Sequence, residues 1–180
     1  MRTVTVVAYD PAWPALFERL RATVWPVVAD VVVAIEHVGS TSVPGLAAKP
    51  VIDLDVVVRA RSDVPTAVGR LTALGYDHLG DLGIEGREAF RPPAGSPAHH
   101  LYVCRSDSPS LANHLALRDH LRGHPELADA YGTLKMRLAQ EFAHDIDGYV
   151  AAKTDFIVAV LRAAGFAEHH VSDIERANRR

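Results

Sequence analysis

Asp53 and Asp55 stand two residues apart in the run VIDLDVVV, residues 51–58. Side chains alternate along a strand, so the two carboxylates share one face, while Ile52, Leu54 and Val56 point the other way into a core. Two neighbouring carboxylates repel each other at neutral pH. A divalent cation relieves that repulsion, and hard oxygen ligands suit Mg²⁺ or Mn²⁺. The alternative is a pair of strand-end carboxylates facing solvent. On the repulsion argument, Asp55→Asn is expected to raise the stability of the metal-free protein. Upstream, the turn at Gly39-Ser40 can offer backbone N–H groups, and Ser40, Thr41 and Ser42 add hydroxyls, a set that suits a phosphate. A hydroxyl-rich turn that satisfies its own backbone is the other reading. Lys49 sits at the foot of the acidic strand, either in the same cleft or in solvent.

Cationic residues further along the chain fit the same chemistry. Arg118, Lys135 and Lys153 each sit within an otherwise amphipathic segment, and Arg91 precedes a Pro-Pro turn. As a set they would line a groove opposite the carboxylates and hold an anionic ligand. Singly, each has a plainer role in surface pairing, such as Arg118 with Asp119. Tyr131 and Tyr149 either stack a base or pack in the core. His100 shares a strand face with Tyr102 and is a candidate base or weak metal ligand, because imidazole titrates near neutrality. The ten histidines form no HExxH or other zinc spacing. No GxSxG or Walker A pattern occurs. Cys104, the single cysteine, leaves no internal disulfide or Cys-based zinc cluster, and its LYVC context suits a buried, inert thiol.

The elements that must position these residues follow from periodicity and punctuation. Residues 3–8 are β-branched and suit a short edge strand. Asp10-Pro11 opens a helix that buries Trp13, Leu16, Phe17, Leu20 and Val24, with Pro26 interrupting it near its end. Strands follow at 31–38 and 51–58, separated by a loop with a helical turn around Leu46–Lys49. A helix at 64–74 is capped by Ser62 or Asp63 and stopped by Gly75. Short strands near Tyr76 and Glu88–Arg91 lead to a strand at 98–105. After residue 106 the pattern turns helical, with segments at 109–122, 125–143 and 146–164. The fold class is α/β (α+β): a mixed sheet with helices over residues 1–106, a C-terminal helical bundle over 107–165, and a polar, frayed tail over 166–180.

Composition bounds the function. A net charge of −3 argues against holding nucleic acid by bulk electrostatics. No apolar stretch reaches 18 residues, so no membrane span is expected. The start, MRTVTVVAYDP, has no long apolar run after its charge, the pattern of a cytoplasmic protein. Oligomeric state is not legible.

The string HVGSTSVPGLAAKPVIDLDVVV, residues 37–58, resembles the GrpB family, also called UPF0157, a branch of the nucleotidyltransferase superfamily. YDPAWPALFERL, HHLYV, LRDHLRGHPELADAYGTLK and YVAAKTDFIVAVL extend the likeness over roughly residues 8–165. The resemblance implies a nucleotidyltransferase-like fold binding a nucleoside triphosphate with Mg²⁺ or Mn²⁺, and nucleotidyl transfer to a small-molecule acceptor. It also implies a third carboxylate on a later strand. HHLYV carries none; Glu85 and Glu88 are the nearest. The rival implication is a degenerate fold acting as a binding or folding-assistance module, like the domain fused to dephospho-CoA kinase.

Overall fold

The computed structural model describes residues 3–178, apart from the side chains of residues 169, 170, 173, 177 and 178; the His169–His170 pair of the sequence therefore lies outside the described side chains. Strand β1 (Val32–Val38) and strand β2 (Ile52–Val58) flank a loop that begins with a 3-10 turn at Ser40–Ser42. Helix α2 (Val64–Ala73), β3 (Asp77–Gly80), β4 (Arg87–Arg91) and β5 (His99–Arg105) follow. The five strands form one mixed sheet in the order β1-β2-β5-β4-β3. Only β2 and β5 run parallel. The crossover between them brings residues far apart in sequence side by side, as parallel pairing requires.

One sheet face is apolar. Ile52, Leu54, Val56, Leu101 and Val103 are buried there against helix α1 (Trp13–Val28) and α2. Helix α1 presents Trp13, Phe17, Leu20, Val24 and Val28 at helical spacing, and this face forms the main core. It runs through Pro26, which lies in the last turn, where a missing N–H costs one hydrogen bond and no long helix is broken. Asp10 does not cap α1 directly; its Oδ1 accepts from the Ala12 N–H at 2.8 Å, in the turn before the helix.

Asp53, Asp55, His100 and Tyr102 point to the other face, on which helix α3 (Pro109–Gly123) packs, and α4 (Pro125–Glu141) and α5 (Ile146–Ala163) pack against α3 and each other. Leu111 of α3 packs with Val57 and Cys104 of the sheet. Burial pushes the Cys104 thiol well above its ordinary value, in accord with an inert role. Val43 and Leu46 of the loop join a second cluster with Leu121, Tyr131, Ile157 and Leu161, so the helical half is built onto the loop that carries the Gly-Ser turn.

Three expectations change. Residues 3–8 form no strand of the sheet: beyond a single bridge from Val7 to Ala48, Val4 is buried with Leu138, Ala139 and Tyr149 of the helical half. The β-branched pattern there reflects burial against helices. No helical turn forms at Leu46–Lys49, where Ala48 is used in that bridge instead. The polar tail is a helix, α6 (Glu168–Asn178). Val171 is fully buried in the helical core, Phe166 and Ile174 pack beside it, and Arg162 pairs with Glu168. A few apolar contacts on one face suffice to dock a helix whose overall composition is polar.

Candidate functional site

The site is set by strand register. Val38, Asp53 and His100 lie side by side across β1, β2 and β5, and Glu36, Asp55 and Tyr102 form the next row. Cross-strand partners share a face, so four polar residues of the two central strands and Glu36 of the edge strand all face the helices. Glu36 adds a third carboxylate to this face, on the earlier strand β1 and not on the later strand where the resemblance implies one; counting the alternation back through EHV shows its face. His100 occupies the later-strand position instead. Glu88 pairs in register with Val103 and bonds His78, which places it on the opposite face.

Each aspartate already has an imidazole partner. His100 Nδ1 donates to Asp53 Oδ1 at 2.8 Å, and His114 Nδ1 of α3 donates to Asp55 Oδ2 at 2.7 Å. Asp55 is fully buried, and its Oδ1 has no hydrogen-bond partner. Burial disfavours the His114 imidazolium, but the Asp55 charge and hydrogen bond outweigh it and raise the His114 pKa. This reverses the repulsion argument: each carboxylate has a donor, so Asp55→Asn no longer carries an expected gain in stability. His114→Ala, by contrast, leaves a buried carboxylate with no donor. It should lower unfolding free energy at pH 7 by about 3 kcal/mol, measured by urea denaturation.

The Gly-Ser turn presses directly on Asp53. Gly39 has φ of 69°, and a Cβ placed there would lie 2.1 Å from Asp53 Oδ2. The hydroxyls beside it are engaged within the turn. Ser42 Oγ donates to the Gly39 carbonyl at 2.6 Å, and Thr41 Oγ1 lies 3.4 Å from the Val51 carbonyl and 3.1 Å from His37 Nε2. His37 stacks on Phe17 at 4.6 Å, and burial holds its pKa down to about 4, so it is a neutral hydrogen-bonding prop at pH 7. Thr41 and Ser42 are both buried, whereas Ser40 is half-buried at the start of the turn.

Helix α3 fastens this loop from outside. Arg122 donates from Nε and Nη2 to the Ser42 carbonyl at 3.0 and 2.7 Å. Arg118 donates to Glu36 at 2.7 Å, to the His37 carbonyl at 3.1 Å and to Asp119. Arg118 therefore braces the turn, and its pairing with Asp119 matches the plainer of its two sequence readings. Residues 114, 118 and 122 recur every four residues, the spacing of one helix face. That polar stripe was the available signal for His114 and Arg122.

Lys135 of α4 and Lys153 of α5 approach from the helical side. Lys135 is 2% exposed, lies 4.5 Å over the Tyr131 ring, and its Nζ has no hydrogen-bond partner. Burial, and then Lys153, push its pKa down to about 7, against the attraction of Asp53. Burial and Lys49 likewise lower Lys153 to about 8, again opposed by Asp53. Lys135 and Lys153 thus both lie in the field of Asp53, and Lys153 also in that of Lys49. Arg91 is not part of this group. It lies at the far edge of the sheet, largely exposed, where it pairs with Asp77 at 3.5 Å. Tyr131 and Tyr149 are buried, so both are core residues.

Among the described residues no three His, Cys, Asp or Glu side chains converge as a ready-made metal cluster. The donor set still suits a hard cation in one respect. Mg²⁺ is commonly held by one or two carboxylates with ligand phosphates and water, and Asp55 Oδ1 is a buried carboxylate oxygen without a partner. Among the described residues no helix is long and apolar enough to cross a membrane.

The chain is similar over most of its length to proteins of one kind. A family model described as GrpB protein matches residues 3–163. The UPF0157 protein YqkA of Bacillus subtilis is 34% identical over 156 residues, covering 87% of this chain but only 46% of YqkA, so the chain spans about half of that relative. A dephospho-CoA kinase of Mycolicibacterium paratuberculosis is 26% identical, covering 89% of this chain and 46% of the kinase. The crystal structure of the conserved protein GrpB from Enterococcus faecalis superposes with a TM-score of 0.80 at 35% identity, covering 89% of this chain and 96% of that one. At 15% identity, a MgGTP-bound structure of Cid1 poly(U) polymerase gives a TM-score of 0.51 over 76% of this chain and 44% of its own, a likeness of fold. With sheet, turn and acidic strand in place over the whole matched region, the chain belongs to the GrpB family.

Proposed function

We propose that the cleft between the carboxylate face and helices α4 and α5 binds a nucleoside triphosphate with Mg²⁺ or Mn²⁺, and that the protein transfers a nucleotidyl group to a small-molecule acceptor. The observation that carries this reading is Lys135: a buried amine whose Nζ has no hydrogen-bond partner, in the field of Asp53. Buried charges are rarely left unpaired unless they serve a ligand. Lys135 and Lys153 bind the phosphate chain, and the Gly39-Ser40 turn offers backbone N–H groups. Asp53 and Asp55 are the residues to hold the cation, which when bound neutralises charge on the phosphates.

In the transfer, the acceptor hydroxyl oxygen bonds to the α-phosphorus, the bond from that phosphorus to the bridging oxygen breaks, and pyrophosphate leaves. His100 donates through Nδ1 to Asp53 and keeps Nε2 to accept the hydroxyl proton; its side chain is half exposed, open to an incoming acceptor. Titration calorimetry with MgATP is the test. Lys135→Ala and Lys153→Ala should each weaken binding about ten- to a hundredfold, the cost of a hydrogen bond to a charged group. Asp53→Asn should remove the dependence on Mg²⁺.

A second reading has its own observation. Asp55 is closed from solvent by His114, which favours a module that has kept the fold and lost the chemistry, and similarity to part of a dephospho-CoA kinase is compatible with such a role. Absence of binding by any nucleoside triphosphate, with either cation, would leave this second reading standing.

A further inference from the structure

We infer that the acceptor in the transfer is an anionic hydroxyl compound, a sugar phosphate or a sugar acid, and that Arg87 holds its charged group beside His100. The inference rests on the nucleotide reading above and names its second substrate class. Strand register places the residue. Arg87 pairs with Cys104 and Ala89 with Tyr102, so both β4 side chains share the face of Tyr102 and Asp55. Phe90 between them pairs with Leu101 and joins the main core on the opposite face. The polar face therefore continues past β5 onto β4. Ala89 sets only a methyl group opposite Tyr102, and the Arg87 guanidinium lies over the Tyr102 ring, 4.5 Å from its centroid. Stacking of this kind orients a guanidinium without using its N–H donors. Those donors meet nothing in the protein. Nε is buried without a hydrogen-bond partner, and among the described residues Arg87 makes no ion pair. Its neighbours in charge are engaged: Arg91 pairs with Asp77, Arg118 with Glu36, and Arg122 bonds the Ser42 carbonyl. Arg87 as a whole is half-buried, so a ligand can reach it. A strand-held guanidinium with unused paired donors suits a carboxylate or a phosphate. The His100 ring centroid lies 6.3 Å from that of Tyr102. An acceptor anchored on Arg87 thus extends along Tyr102 to bring a hydroxyl to His100. The triphosphate is assigned to Lys135 and Lys153 of α4 and α5, so the two anionic ligands have separate cations.

The test is a titration of the full chain, followed by NMR, with three matched sugars: glucose, glucose 6-phosphate and glucuronate. It is run with and without the Mg²⁺ complex of an ATP analogue whose α–β bridging oxygen is replaced by methylene. The expected result is that at least one charged sugar binds about tenfold or more tightly than glucose, the cost of losing a hydrogen bond to a charged group. Arg87→Gln should abolish that preference and leave affinity for the nucleotide analogue within about twofold. Arg87→Lys, which keeps the charge and loses the paired donors, should fall between the two. The better-bound charged sugar tells phosphate from carboxylate. Equal binding of glucose and the charged sugars overturns the inference, as does failure of all three to bind. A preference that survives Arg87→Gln does so as well. A tenfold loss of nucleotide affinity in that variant would assign Arg87 to the triphosphate instead. In each of these cases binding of the analogue by the wild type leaves the nucleotide reading standing. If the analogue does not bind but the Arg87-dependent preference is present, the nucleotide reading fails and the anion site alone is kept.

Discussion

Replacing Lys135 with methionine will stabilise the ligand-free protein by about 4 kcal/mol at pH 6, and the gain will fade towards pH 10. The side chain is almost wholly buried, and its pKa drops from the ordinary 10.5 to about 7, chiefly through burial and secondarily through Lys153. Each pH interval of one between those values corresponds to about 1.4 kcal/mol. The sign follows from proton counting. Between about pH 7 and pH 10.5 the unfolded chain holds a proton on this lysine and the folded chain does not. Stability therefore rises with pH across that window, and the penalty is largest below pH 7. Methionine keeps the volume and removes the charge, so the variant loses the penalty and the pH dependence together. Urea denaturation of both proteins at pH 6, 8 and 10 checks this; an equal difference at all three would show that Lys135 stays charged throughout. The gain carries a cost, because Lys135→Met should also forfeit triphosphate binding. Stability given up for a binding group is a familiar exchange.

The second large effect belongs to Gly39. Gly39→Ala should lower stability by about 2–4 kcal/mol and weaken binding of MgATP at least tenfold. With φ of 69° and ψ of −176°, the residue occupies backbone space that is essentially reserved for glycine. The added methyl would also meet Asp53 Oδ2 at 2.1 Å, closer than any real contact. Either the turn opens or Asp53 moves, and each outcome displaces a group assigned to the ligand. Thermal melting in the presence and absence of MgATP distinguishes the two consequences. A variant that melts lower yet shows the full ligand-induced shift would mean that the displaced group, turn or carboxylate, is not needed for binding.

Strand chemistry made much of the site legible in advance. Period-two alternation put Asp53 with Asp55 and His100 with Tyr102 on their faces, and the register shows the two pairs adjacent. Helix lengths in the second half were legible from apolar spacing and from Pro109 and Pro125 at the helix starts. What alternation cannot give is which helix face meets the acids. Arg118 was placed in an anion groove, yet it bonds Glu36 and a backbone carbonyl. Arg91 was placed there too, but antiparallel pairing with β3 takes it to the far edge. Helix α6 was hidden because burial of one valine and two half-buried neighbours weighs little against eight polar residues in its sequence.

Helix α3 reaches Asp55, Glu36 and Ser42 across 59, 82 and 80 residues of chain. Contacts at such separation carry a loop-closure entropy cost that must be met before they stabilise the fold. During synthesis the acidic strand emerges well before the helix that holds its counter-charge. A nascent chain halted at residue 106 would lack His114, Arg118 and Arg122, the donors to Asp55, Glu36 and the Ser42 carbonyl. The acidic face and the turn thus reach their final bonding only when α3 docks, and ligand binding by this protein would double as a report that this helix is in place.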